Sequence, residues 1–167
     1  MPAPHDQVDR LVDAWRRELP DLDLAPVEVF SRISRLARLL DLARRDAFTA
    51  QAIEPWEFDV LAALRRAGAP YQLSPGQLLR ETMVTSGTMT NRVDRLADRG
   101  LVDRLPDPHD RRGVLVRLTG SGRDRVDAAL SDLLAREQGL LSGLGRQERK
   151  QLVVLLRQLS GALEHEG

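Results

Sequence analysis

The apolar pattern of this chain changes period once, near residue 102, and that change most limits its fold. Upstream and downstream, apolar residues recur at helical spacing. Between lie two short runs, Val102 to Leu105 and Val114 to Leu118. The second alternates, with Val114, Val116 and Leu118 on one side and Leu115 and Arg117 on the other. Residues 106–113, Pro-Asp-Pro-His-Asp-Arg-Arg-Gly, join the runs as a turn. A single β-hairpin with a charged tip is expected in an otherwise helical chain.

The helices can be placed from their stripes and caps. Val8, Leu11, Val12, Trp15 and Leu19 make a first stripe, closed by Pro20. Pro26 suits the first turn of a long helix carrying Phe30, Ile33, Ala37 and Leu40 to about Ala50. Pro55 opens a third helix through Phe58, Leu61 and Leu64, ending at Ala67-Gly68. Ser74-Pro75 reads as an N-cap and first-turn proline for a short helix to Thr82. Thr85 or Ser86 caps the next helix, which stops at Gly100. Thr119 caps a long helix to Leu141, and a break at Gly143 to Gly145 precedes the last one. These final helices hold more leucine than a domain this size needs for itself. Burial against a second copy is the simplest outlet, and an intramolecular bundle is the competing one.

Helix, short turn, helix and charged hairpin follow one another in the order of a winged helix-turn-helix. The second of those helices divides cleanly by angle. With Met89 at 0° and about 100° per residue, Val93 falls near 40° and Leu96 near 340°. Thr88, Asn91 and Arg95 fall near 260°, 200° and 240°, on the opposite side. Hydroxyls, an amide and a guanidinium backed by an apolar stripe are what a major-groove helix requires. Ser86, Thr88, Thr90, Asn91 and Arg95 are the candidate DNA contacts on this helix, with Arg111 and Arg112 at the hairpin tip placed to reach phosphate or the minor groove. A solvated surface helix and an ordinary charged turn would show a similar pattern.

Composition removes other classes. Basic and acidic residues number 25 each, so any basic surface must be local. Lys150 is the lone lysine, and arginine suits forked contacts to phosphate and carboxylate. With no cysteine, thiol chemistry and sulfur-ligated metals are out. His5, His109 and His165 share no metal-binding spacing, so neither a metal nor a cofactor is expected. Six aromatic residues are too few for single-strand stacking platforms. There is no apolar run of the ~20 residues that cross a bilayer, and the N-terminus lacks a secretion core. A cytoplasmic protein without membrane contact is expected. No nucleophile elbow, Walker loop, dinucleotide-binding glycine pattern or zinc signature occurs, and His109-Asp110 has no nucleophile beside it. An enzyme is not expected.

The motifs themselves resemble a known family. Residues 83–96 (Met-Val-Thr-Ser-Gly-Thr-Met-Thr-Asn-Arg-Val-Asp-Arg-Leu) are followed by Arg99-Gly-Leu-Val102, Asp107-Pro-His-Asp-Arg-Arg-Gly113 and Val116-Arg-Leu-Thr119. This order resembles the MarR family of bacterial transcriptional regulators, over about Pro26 to Leu163. The resemblance implies a homodimer built from the terminal helices. It also implies binding to palindromic operators in double-stranded DNA, as a repressor relieved by a small ligand.

A narrower resemblance points to the urate-responsive, PecS-like branch, which has an added first helix bearing tryptophan. Its ligand residues match Trp15, Asp59, Arg92 and Arg104 here. The resemblance implies an anionic aromatic effector, urate or a related purine, that disturbs a charge contact positioning the recognition helix. The residues alone leave each role open. Trp15 suits a core or dimer contact as well as a ligand wall. Asp59, on the polar arc of its helix, suits a solvated carboxylate as well as a pocket. Arg92, at the border of the core and DNA stripes, suits a phosphate contact as well as a cleft.

The expected class is mainly α with a small β-hairpin: a winged helix-turn-helix with N- and C-terminal dimerisation helices. Residues 1–50 would hold the added and dimerising helices, 51–118 the DNA-binding domain, and 119–167 the C-terminal dimerisation helices. The alternative is a dimeric winged-helix interaction module without specific DNA or ligand binding.

Overall fold

The computed structural model describes residues 5–108 and 110–164, with the backbone alone at 111, 112 and 162–164. Among the described residues, seven helices and three strands follow in the order α1 (Gln7–Glu18), α2 (Ala25–Ala50), α3 (Pro55–Arg66), β1 (Gln72–Leu73), α4 (Pro75–Thr82), α5 (Ser86–Asp98), β2 (Val102–Asp107), β3 (Asp110–Leu118), α6 (Gly120–Leu140) and α7 (Arg146–Glu164). No helix among the described residues is long and apolar enough to cross a membrane. The chain divides into two compact units, one up to Arg44 and one from Arg45.

In the first unit, Asp6 caps α1 by accepting the Val8 and Asp9 amides at 2.7 and 2.9 Å. Val8, Val12 and Leu24 form a small buried cluster with Val27 against it. Arg32 of α2 donates to Asp6 and Asp9 of α1, its Nη2 lying 2.6 Å from Asp9 Oδ1. Arg16 reaches Glu28 across the same pair of helices at 2.5 Å. Two positions of the α1 stripe are thus buried, while Leu11, Trp15 and Leu19 stay exposed. The α2 stripe is largely open: Phe30, Ala37 and Leu40 are exposed and Ile33 is half-buried, with Leu36 and Leu39 exposed beside them.

The second unit holds the main core. Phe48 stacks on Phe58 at 4.3 Å between ring centres. Leu61, Leu64, Leu78, Met89, Leu96, Val116 and Val126 pack into the same cluster. The expected caps form: Ser74 accepts the Gln77 amide, and Thr119 accepts the Gly122 amide at 3.0 Å. Thr85, rather than Ser86, is the N-cap of α5. Gly100 takes φ +67 at the exit of that helix, a left-handed turn that lets Leu101 donate back to the Leu96 carbonyl at 2.9 Å.

The sheet is longer and broader than the pattern suggested. The three strands lie in the order β1-β3-β2, all antiparallel. β2 runs on to Asp107 and β3 begins at Asp110, with an irregularity between Pro106 and Asp107. Arg111 and Arg112 therefore belong to the start of a strand, not to an eight-residue turn; their side chains, and all of His109, lie outside the described residues. Strand pairing ran through the polar segment because backbone groups, not side-chain periodicity, make a ladder. β1 pairs Gln72 with Arg117 and Leu73 with Val116. Two residues are too few to carry a visible alternation.

α6 buries Gly122, Val126, Ala129 and Leu133, at helical spacing, against the core. Gly122 lies under Leu101: a Cβ there would sit 2.1 Å from the Leu101 carbonyl oxygen. Beyond that face Leu130, Leu134 and Leu140 are exposed. α7 buries no described residue and leaves Leu152, Val153, Val154, Leu155 and Leu156 open.

Candidate nucleic-acid interface

α5 is held from below by its apolar side. Met89, Val93 and Leu96 are buried, as the angles require. Its far end is tied to the α2–α3 connection. Arg99 grips the carboxylate of Glu57, which is 1% exposed, and donates to the Ala52 carbonyl at 2.5 Å. The opposite side of α5 presents Thr88, Asn91 and Arg95, and Ser86 and Thr90 lie toward the wing flank; all five are exposed. Thr88 shares a hydroxyl contact with Thr85 at 2.9 Å, and Thr90 donates to the Ser86 carbonyl at 3.2 Å. The first turn carries no acidic side chain, so the positive end of the helix faces outward unneutralised. Donors, acceptors and a guanidinium share one exposed stripe on a rigidly backed helix. Such a stripe can hydrogen-bond base edges and phosphates.

One flank of this stripe is a groove of about 450 Å³ between α5 and the start of α3, lined by Trp56, Gly87, Thr88, Asn91, Arg92 and Arg95. The guanidinium carbons of Arg92 and Arg95 lie 5.4 and 4.8 Å from the centre of the Trp56 ring. The indole nitrogen donates to Glu54 Oε2, and Glu54 Oε1 lies 3.5 Å from Arg95 Nη2. Trp56, Glu54 and the Glu57–Arg99 pair were not singled out from the sequence. Glu54 and Glu57 do show the three-residue spacing of a capping box before an apolar run. Nothing in the pattern told which acid would be buried.

The other flank is a smaller recess of about 130 Å³ beside the wing, where Arg104 lies with Pro75, Met89, Thr90, Val93 and Val114. Arg104 Nη2 is 2.6 Å from Asp94 Oδ1. Arg92 and Arg104 thus line different recesses: Arg92 leaves α5 on the Trp56 side, while Arg104 comes from β2 and pairs with Asp94 on the wing side. Asp59 is exposed on α3, one turn beyond Trp56. Trp15 belongs to the first unit, where it is 46% exposed on α1.

Comparison with known proteins agrees with this geometry. A model described as MarR family matches residues 53–113, the stretch holding α3 to the wing tip. The chain is 37% identical over 150 residues to the HTH-type transcriptional regulator PecS of Dickeya dadantii, covering 90% of each protein. Among solved structures, a mutant of Escherichia coli MarR complexed with operator DNA superposes with a TM-score of 0.63, at 28% identity over 87% of this chain and 96% of that one. A structure of Bordetella bronchiseptica BpsR, whose DNA binding is regulated by 6-hydroxynicotinic acid, gives 0.57 at 30% identity, over 77% of this chain and 98% of that one.

Proposed function

This chain belongs to the MarR family of transcriptional regulators, and from that premise we propose that it is a dimeric, operator-binding repressor released by a small anionic aromatic ligand such as urate. It is a regulator and not an enzyme. The observation that carries the DNA reading is the exposed stripe of Thr88, Asn91 and Arg95, backed by buried Met89, Val93 and Leu96 and flanked by exposed Ser86 and Thr90. Arg111 and Arg112 of the wing add phosphate or minor-groove contacts. A cytoplasmic setting follows from that role.

Two copies present two such helices to a palindromic site, with half-sites about one DNA turn apart or a multiple of it. The open leucines and valines of α7 and the open apolar side chains of α2 support a homodimer, since faces of this kind are normally covered. Residues 51–118 read DNA in this scheme, and 1–50 and 119–167 supply the dimer contacts.

The effector is an anion with a planar ring, urate or a related purine. The 37% identity to PecS and the small aromatic acid named for BpsR support that class. Arg92 and Arg104 are permanent cations suited to it, and Asp59 and Trp15 complete the set assigned by resemblance. A coupling of roughly 1–3 kcal/mol between ligand and operator would suffice.

The test is binding to the intergenic DNA upstream of the gene itself, with and without urate, for wild type and Asp59→Asn. Specific binding should exceed random DNA by roughly 10³ or more at physiological salt. Urate should weaken it for wild type and less for the variant. Binding unaffected by urate and by other purines would remove the ligand assignment. Binding no tighter than to random DNA would remove the operator.

A further inference from the structure

We propose that Trp56 is a positioning residue for operator recognition: its indole, pinned by Glu54, holds the Arg95 and Arg92 guanidinium groups in place on the DNA-facing side of α5. The proposal rests on the DNA-binding reading above.

A connected set of contacts converges on one ring. Trp56 is half-buried and packs against the main core, so the ring is a fixed object. Its nitrogen is committed to Glu54. Glu54 in turn is fixed through its backbone: it caps α3, its carbonyl accepts the Glu57 and Phe58 amides at 3.0 Å, and its own amide donates to Glu57 Oε2 at 2.8 Å. Glu57 is the buried carboxylate gripped by Arg99. Two arginines one turn apart on α5 then lie against this ring, at 5.4 and 4.8 Å from its centre.

A guanidinium resting on an aromatic face is held by the ring's quadrupole, and its in-plane N–H donors stay available. The stack therefore restrains the long arginine side chains without using the groups that would contact guanine or phosphate. Held in advance, they lose less rotamer freedom on binding. Glu54 plays a second part. It accepts from Arg95 at 3.5 Å in the free protein, an anion standing where a phosphate can replace it. Exchange of one acceptor for the other lets Arg95 contact DNA without leaving the ring.

The experiment measures affinity for the upstream fragment and for random DNA across a salt series. It compares wild type, Trp56→Phe and Trp56→Leu, with thermal melts as the check on folding. Trp56→Leu should lose roughly tenfold in specific affinity while its random-DNA affinity changes little, so the specificity ratio falls. Trp56→Phe, which keeps a ring face, should retain most of the ratio. Glu54→Gln should bind both DNAs more tightly, since a carboxylate leaves the neighbourhood of phosphate. A second measurement covers the case in which the leucine variant does not fold. A Trp15→Phe chain carrying fluorinated tryptophan keeps the indole's shape and weakens its negative face. Its specificity ratio should fall in step with fluorination. An unchanged ratio in Trp56→Leu, or in the fluorinated chain, overturns the positioning role. Absence of any specific complex with wild type overturns the DNA reading instead, so the two failures are distinct.

Discussion

Arg99, at the end of α5, holds both carboxylate oxygens of Glu57, a side chain buried at the start of α3. The pair joins the two helices that frame the DNA-reading stripe. The two ends of the pair are unequal: the Glu57 side chain is 1% exposed and that of Arg99 is 37% exposed.

That inequality predicts unequal losses. Arg99→Ala leaves a buried carboxylate without its cation and should cost about 3–5 kcal/mol. Glu57→Gln keeps an acceptor for the Glu54 amide and leaves an arginine that can reach water. It should cost only about 1–2 kcal/mol. Urea unfolding at constant m-value checks the order; equal losses would contradict it.

Gly122→Ala should destabilise, against the usual benefit of alanine in a helix. The added Cβ would meet Leu101 O at 2.1 Å and Leu118 Cδ1 at 2.9 Å. Overpacking at the upper end of its range, ~3 kcal/mol, outweighs a propensity gain of ~1 kcal/mol. A melting temperature lower by about 4–8 °C is expected. A variant as stable as wild type would mean that α6 can slide away from Leu101 at little cost.

The clasp between α1 and α2 should fail in acid. Asp6 and Asp9 are held below the ordinary carboxylate range, each mainly by the other's backbone amide and then by Arg32. Their folded values are depressed, so the stabilisation is complete above the unfolded value of about 3.9. It is lost as pH falls through the lower folded values. In a Trp56→Phe chain, Trp15 emission should stay level from pH 7 to about 4 and change below that. A transition near pH 6 would exclude these carboxylates as its source.

Asp94 and Arg104 make an exposed pair, with side chains 52% and 43% accessible. Its own contribution to stability should be under about 1 kcal/mol in a double-mutant cycle. The effect on DNA should be larger in kind. Asp94→Asn removes a carboxylate near phosphate and releases a cation, so affinity at low salt should rise by up to about fivefold. Fluorescence anisotropy over a salt series reads this directly. A weaker complex would mean that the pair orients the wing, and that orientation outweighs charge.

Periodicity and caps were enough to place every long helix, because burying one face imposes a repeat along the chain. Ser74, Thr119 and Gly100 mark their helix ends locally, and the buried trio Met89, Val93 and Leu96 follows from angle alone. β1 escaped notice since two residues cannot display a repeat. The length of the hairpin escaped for a related reason. Asp107 and Asp110 pair through backbone groups that every residue carries.

The amino-acid order alone settled the local questions: which segments coil and which side of α5 points away from the core. Partnership between distant side chains was decided only in three dimensions. That Glu57 rather than Glu54 is buried, and that Trp56 holds Arg92 and Arg95, depends on where α3 crosses α5. Arg104 meets Asp94 because β2 turns back along that helix. Short-range repetition constrains a backbone segment by segment, whereas a contact across forty residues exists only after the intervening chain has packed.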